Sequence, residues 1–281
     1  MGDKRNFRSS YYDKVGFRGV EEKRSLEILI NEKPMDKEKL SKFCLRFTLP
    51  AIYREYVWKV LLGVLPVNLE SHCSVLDEWS YYYTELEDSL KIMRKIRKDT
   101  SKSIIHTLMF LMIEEVIEFD TEKQLESSKA QSITALATFF LELCSTEVIA
   151  FWMLRNFILH QRKFSLHSKY LKENLEIILK QEDDTLYEHF KVLKTLEALP
   201  LDTWFERYFA EVLHESSLAR ILDKVIGGSC KILACVAAAL LMVRRHILLP
   251  LNDSSKIVEI LYKNPEDISD VVVNKALDLY G

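Results

Sequence analysis

The chain has 281 residues, with 39 Lys and Arg against 42 Asp and Glu, for a formal net charge of −3. This near-neutral balance excludes a dedicated nucleic-acid or membrane-surface binder, which would carry a strong basic excess. Glycine excludes more: none lies between Val64 and Ile226, and no GxGxxG, GxxxxGK[ST] or GxSxG motif occurs, so phosphate-cradling loops and the nucleophile elbow are out.

In chain order, residues 1–20 are aromatic and basic without strong periodicity, and are expected to form an N-terminal arm. Helical periodicity then predicts helices near 21–31, 36–46, 50–62, 72–98, 103–118, 129–145, 147–164 and 168–182. Further helices are predicted near 185–197, 201–213, 217–226, 229–248, 254–263 and 267–280. The clearest start and stop are Pro50, which opens a helix, and Gly63, which closes it, with Pro66 just beyond. Leu218, Ile221, Leu222, Val225 and Ile226 make one apolar stripe that ends at Gly227 and Gly228. The polar run from Asp120 to Gln131 reads as a surface loop.

Two predicted helices, Val148–Leu159 and Ile232–Val243, are apolar nearly all round and must be covered on several sides. They should be central, which favours one continuous all-α domain over residues 21–281. Ile232–Val243 is also the longest uncharged apolar run, short of the roughly 20 residues needed to span a bilayer. No transmembrane segment is expected, and MGDKRNFRSS lacks the apolar core of a signal peptide. Five cysteines, Cys44, Cys73, Cys144, Cys230 and Cys235, form no CxxC and are expected as free thiols in a reducing, intracellular setting. Neither HExxH nor a calcium-loop pattern occurs, so no metal and no cofactor is expected.

The strongest local signature is Tyr53-Arg54-Glu55-Tyr56-Val57-Trp58-Lys59-Val60-Leu61-Leu62-Gly63. Arg54 and Trp58 are four residues apart and share a helix face. The segment resembles the YRxxVWxxLLG opening of the TBC domain, the all-helical fold of Rab GTPase-activating proteins. Further likenesses follow in order: Ala150-Phe151-Trp152 with Leu154, Trp204-Phe205 with Phe209, and Arg220-Ile221-Leu222-Asp223 through Gly227 to Lys231-Ile232-Leu233. Leu222 stands where the family usually has Trp. The resemblance covers roughly residues 47–262 and implies a single TBC domain preceded by a short arm. Arg54, Trp58 and Asp223 would then be architectural, with Arg54 and Asp223 approaching one another.

The resemblance also implies what an active member needs: an arginine finger from IxxDxxR and a glutamine finger from YxQ, both acting on a GTPase in trans. The best match to the first is Ile96, Asp99 and Lys102, which puts lysine at the finger position. Lysine keeps the charge and loses the planar fork that engages two phosphate oxygens. No YxQ occurs in the expected region, where Gln124 and Gln131 lack a preceding Tyr. The implied protein is therefore a non-catalytic scaffold. RNFRSSYYDKVGFRGVEEKRSLEIL, VWKVLLGVLP followed by ESH, and GGSCKIL are most similar to one branch of the family. That branch binds the hamartin coiled coil, steadies the hamartin–tuberin complex, and so supports its action on Rheb and its restraint of mTOR signalling.

The likeness implies a cytoplasmic protein recruited to lysosomal or vesicle membranes through that complex. The alternatives are an active Rab GTPase-activating protein that docks a Rab-type GTPase, and an unrelated helical interaction module. For a partner surface, Leu76, Trp79, Tyr82, Tyr83 and Leu86 are aromatic-rich candidates on the 72–98 helix, with core packing as the competing role for the same stripe.

Overall fold

A computed structural model describes residues 20–162, 168–262 and 268–281. The described residues contain helices and turns and no strand. They divide into two compact units. The first holds the helices up to Arg162 together with Ile226–Gly228, and the second holds the rest. The arm expected over residues 1–20 lies outside the described residues except for Val20, which opens the first helix.

In the first unit, α1 (Val20–Asn31) packs on α2 (Lys37–Arg46), and α2 on α3 (Ala51–Leu61). Asp36 starts α2 by accepting the N–H groups of Glu38 and Lys39, two of the donors a helix start leaves orphaned. The α3 helix stops at Gly63, whose φ of +76° is the left-handed conformation that glycine adopts without a Cβ clash. A short 3₁₀ turn, Leu69–Ser71, leads into α4 (His72–Ile92). Then come α5 (Lys102–Ile113), capped by Ser101, α6 (Thr121–Leu125), capped by Asp120, and α7 (Ser128–Leu143), capped by Ser127. The unit closes with α8 (Glu147–Arg162), which packs on α4, α5 and α7. Its aromatic core joins Trp58, Phe139, Phe140 and Phe157 with ring centroids 5.3–6.4 Å apart. Such pairs contribute beyond the area they bury.

The second unit comprises α9 (Ser168–Glu182), α10 (Asp184–Val192), α11 (Thr195–Ala198), α12 (Leu201–Glu206) and, but for its last residue, α13 (Glu215–Ile226). It continues with α14 (Lys231–Val243), α15 (Arg245–Leu248), α16 (Ser254–Tyr262) and α17 (Ser269–Tyr280). Every residue of α14 from Ile232 to Leu241 is buried, with α9 and α17 packed along it.

The two all-round apolar helices are thus central, but in different units: α8 in the first, α14 in the second. Several predicted helices are also shorter than expected. The 72–98 helix ends at Ile92 and the 103–118 helix at Ile113 because Arg94 and Glu115 turn left-handed, each with a φ of +56°. Lys194 splits the 185–197 segment in the same way, and Tyr208 and Phe209 end the 201–213 segment. None of these breaks carries glycine or proline, the residues by which sequence marks a stop. The polar Asp120–Gln131 run is not a plain loop, since it holds α6 and the first turn of α7.

Candidate functional site

The expected finger segment runs from the end of α4 into α5. Ile96 is buried, Asp99 is exposed, and Lys102 is the first residue of α5. Ser101 anchors that start by accepting the N–H of Ile104. The Lys102 ammonium lies 3.1 Å from Glu87 Oε1 on α4 and 2.8 Å from Glu147 Oε2 at the first residue of α8. Glu87 in turn accepts from Lys91 through its other oxygen, at 2.9 Å. The hydrogen bond to Glu147 raises the Lys102 pKa, against the opposing effect of burial, with Glu87 adding to it. The bonds from Lys91 and Lys102 hold the Glu87 carboxyl below its usual range. Lys102 is therefore a charged side chain bound between two carboxylates on neighbouring helices.

Behind this pair lies a buried polar layer. The Tyr83 hydroxyl is 3.2 Å from His106 Nε2 and donates to Glu147 Oε2 at 3.5 Å. Burial pushes Tyr83 up to about 12 and His106 down to about 4, so both are neutral at physiological pH. His106 Nδ1 is buried without a hydrogen-bond partner. Phe151 packs edge-on against both rings.

The two glutamines of the region do structural work. Gln124 is buried, donates from Nε2 to the Val116 carbonyl at 2.6 Å, and accepts the Glu118 N–H at 2.9 Å. Gln131 is exposed on α7 and donates to the Glu126 carbonyl at 3.1 Å.

The stripe expected as a partner surface is in large part the inward face of α4. Tyr83 is 6% exposed and belongs to the polar layer just described, so it is not available to a partner. Trp79 is half-buried: its indole N–H donates to the Val64 carbonyl at 2.8 Å and its ring lies 4.1 Å from that of Trp152, centroid to centroid. Trp152 returns a bond to the Trp79 carbonyl at 2.9 Å. Leu76 and Leu86 are half-buried on the same side. Periodicity located the stripe but could not say that α8 covers it. Tyr82, at 51% exposure, and Tyr81, at 60%, stand on the accessible side with Glu78 and Glu85, and the apolar-stripe criterion passes over all of these but Tyr82.

Arg54 is buried in the first unit and donates to the Leu49 carbonyl. Trp58, four residues further along α3, is fully buried, and Asp223 is fully buried in the second unit. Among the described residues, no helix is long and apolar enough to cross a membrane, and no three His, Cys, Asp or Glu gather as metal ligands do.

The family model of the Rab-GTPase-TBC domain matches residues 52–249, which run from α3 through α15. The chain belongs to that family. Its relatives include TBC1 domain family member 7 of Danio rerio, 42% identical over 277 residues spanning 98% of this chain and 94% of the relative. The Homo sapiens protein of the same name is 39% identical over 282 residues, with the same coverage. Among solved structures, the Ypt/Rab-GAP domain of Gyp1p superposes with a TM-score of 0.59 at 17% identity, covering 93% of this chain and 98% of its own. The Chlamydomonas flagellar RabGAP TBC domain gives 0.61 at 16% identity, covering 99% and 96%. At such identities these two establish the all-α TBC fold alone.

Proposed function

We propose that this TBC protein is a scaffold without GTPase-activating chemistry of its own. The observation that carries the reading is the setting of Lys102. A finger must bring an uncompensated cation, ideally a guanidinium fork, to the transferring γ-phosphoryl group, a contribution worth about 10³–10⁵ in rate. Lys102 lacks the fork, and its charge is met by Glu87 and Glu147. Those carboxylates would repel an incoming phosphate. Gln124, with both ends of its amide bound to backbone, is poorly suited to orient an attacking water.

The high identity to TBC1 domain family member 7 supports the finer reading. The chain binds the hamartin coiled coil, stabilises the hamartin–tuberin complex, and thereby supports its action on Rheb and its restraint of mTOR signalling. It would be cytoplasmic and reach lysosomal or vesicle membranes through that complex. Single-turnover GTP hydrolysis by a panel of Rab proteins tests the catalytic half, and no acceleration is expected. An acceleration that Lys102→Ala abolishes would establish an active Rab GTPase-activating protein instead. Calorimetry with the hamartin coiled-coil fragment tests the scaffold half, where binding of defined stoichiometry is expected.

A further inference from the structure

A cleft of about 460 Å³ opens beside the first half of α4. Its lining includes Asn68, Glu70, Val75, Glu78, Trp79 and Tyr82. The apolar part is preorganised. Trp79 is fixed by its bond to Val64 and by Trp152 against its ring, and the Tyr82 ring lies 5.8 Å from that of Tyr81. The polar part is of one sign: Glu70 and Glu78 are exposed and form no ion pair among the described residues, and no Lys or Arg lines the cleft. The start of α4 contributes roughly half a positive charge, which two full carboxylates outweigh.

An anion is repelled here, and an apolar side chain would strip water from two carboxylates with no hydrogen bond in return. A guanidinium satisfies both parts, because its plane lies on aromatic rings while its edge donates to carboxylates. An ammonium does the second without the planar match. We infer that the cleft is a receptor for an arginine side chain presented by the partner helix, with Trp79 and Tyr82 as the platform and Glu70 and Glu78 as the acceptors. The source of the arginine rests on the scaffold reading above, whereas the selectivity of the cleft does not.

Two experiments on the full chain separate these dependencies. In the first, N-acetyl-arginine methylamide and its lysine and norleucine counterparts are titrated while the Trp79 indole and Tyr82 ring signals are followed by NMR. The arginine probe should shift both signals, lysine less, and norleucine not at all. Glu70→Gln and Glu78→Gln, surface changes that leave the core intact, should each weaken the arginine response about two- to fivefold. An equal response to norleucine, no response to arginine, or an arginine response indifferent to both substitutions would overturn the inference. In the second, calorimetry compares hamartin coiled-coil binding by the wild type and the double variant, and a weakening of the order of tenfold is expected. Unchanged affinity would overturn the arginine receptor and leave the scaffold standing. Absence of wild-type binding would remove the scaffold reading, with the cleft still judged by the titration.

Discussion

Two buried regions of this molecule are made by opposite means. Along α14, ten consecutive residues from Ile232 to Leu241 are buried and apolar apart from the weakly polar Cys235 thiol. At the meeting of α4, α5 and α8, the side chains are Lys102, Glu87, Glu147, Tyr83 and His106, joined by ion pairs and hydrogen bonds. The first region gains from area removed from water, about 1.5–3 kcal/mol for each large aliphatic side chain. The second gains little net energy from its pairs, since desolvation offsets much of the attraction. What it gains is register, because a charge at the start of α5 that must meet a carboxylate inside α4 and another at the start of α8 fixes how the three helices meet.

The largest expected effect comes from the apolar side. Leu240→Ala should destabilise by about 2–5 kcal/mol, combining lost transfer energy with a cavity among neighbours that cannot collapse. Denaturant unfolding followed by circular dichroism measures it, and a loss below about 1 kcal/mol would mean that α14 is less tightly enclosed than it looks. Next comes a pH effect that the polar region has and the apolar one lacks. His106 has its pKa lowered from 6.5 to about 4 in the fold. Between those values the unfolded chain binds the proton and the folded one does not. The stability due to neutral His106 is therefore complete above pH 6.5 and falls as the pH drops toward 4, by about 3 kcal/mol over the window. His106→Phe should flatten that part of the stability profile, and an unchanged profile would place the titration elsewhere. The smallest effect is that of Lys102→Ala. Its partners are partly exposed, so the loss should stay within about 1 kcal/mol in thermal or chemical unfolding. A loss of several kcal/mol would show that the corner carries stability as α14 does.

The same contrast explains what the sequence made legible. The α14 and α8 cores could be read directly, because a helix without a polar face has no alternative to burial. The Tyr53–Gly63 opening could be read as well, its limits being written in Pro50 and Gly63. The polar corner could not. Glu87, Lys102 and Glu147 come from three helices, and no local spacing announces that they meet. The short helices were hidden for a different reason: Arg94, Glu115 and Lys194 adopt left-handed conformations that side-chain chemistry alone does not advertise. On α4 the apolar stripe through Trp79 and Tyr83 was visible. Which of its two faces meets water is a tertiary fact, decided by α5 and α8.

The reciprocal bonding of Trp79 and Trp152 has a practical consequence. Of the four tryptophans, Trp58, Trp79 and Trp152 belong to the first unit and Trp204 to the second. Two indoles with centroids 4.1 Å apart share excitation, so their absorption and emission report the integrity of the α4–α8 contact rather than of either ring alone. A chain that keeps Trp204 as its sole indole would glow from the second unit only. Comparing it with the unaltered chain would turn two overlapping unfolding signals into two separate clocks.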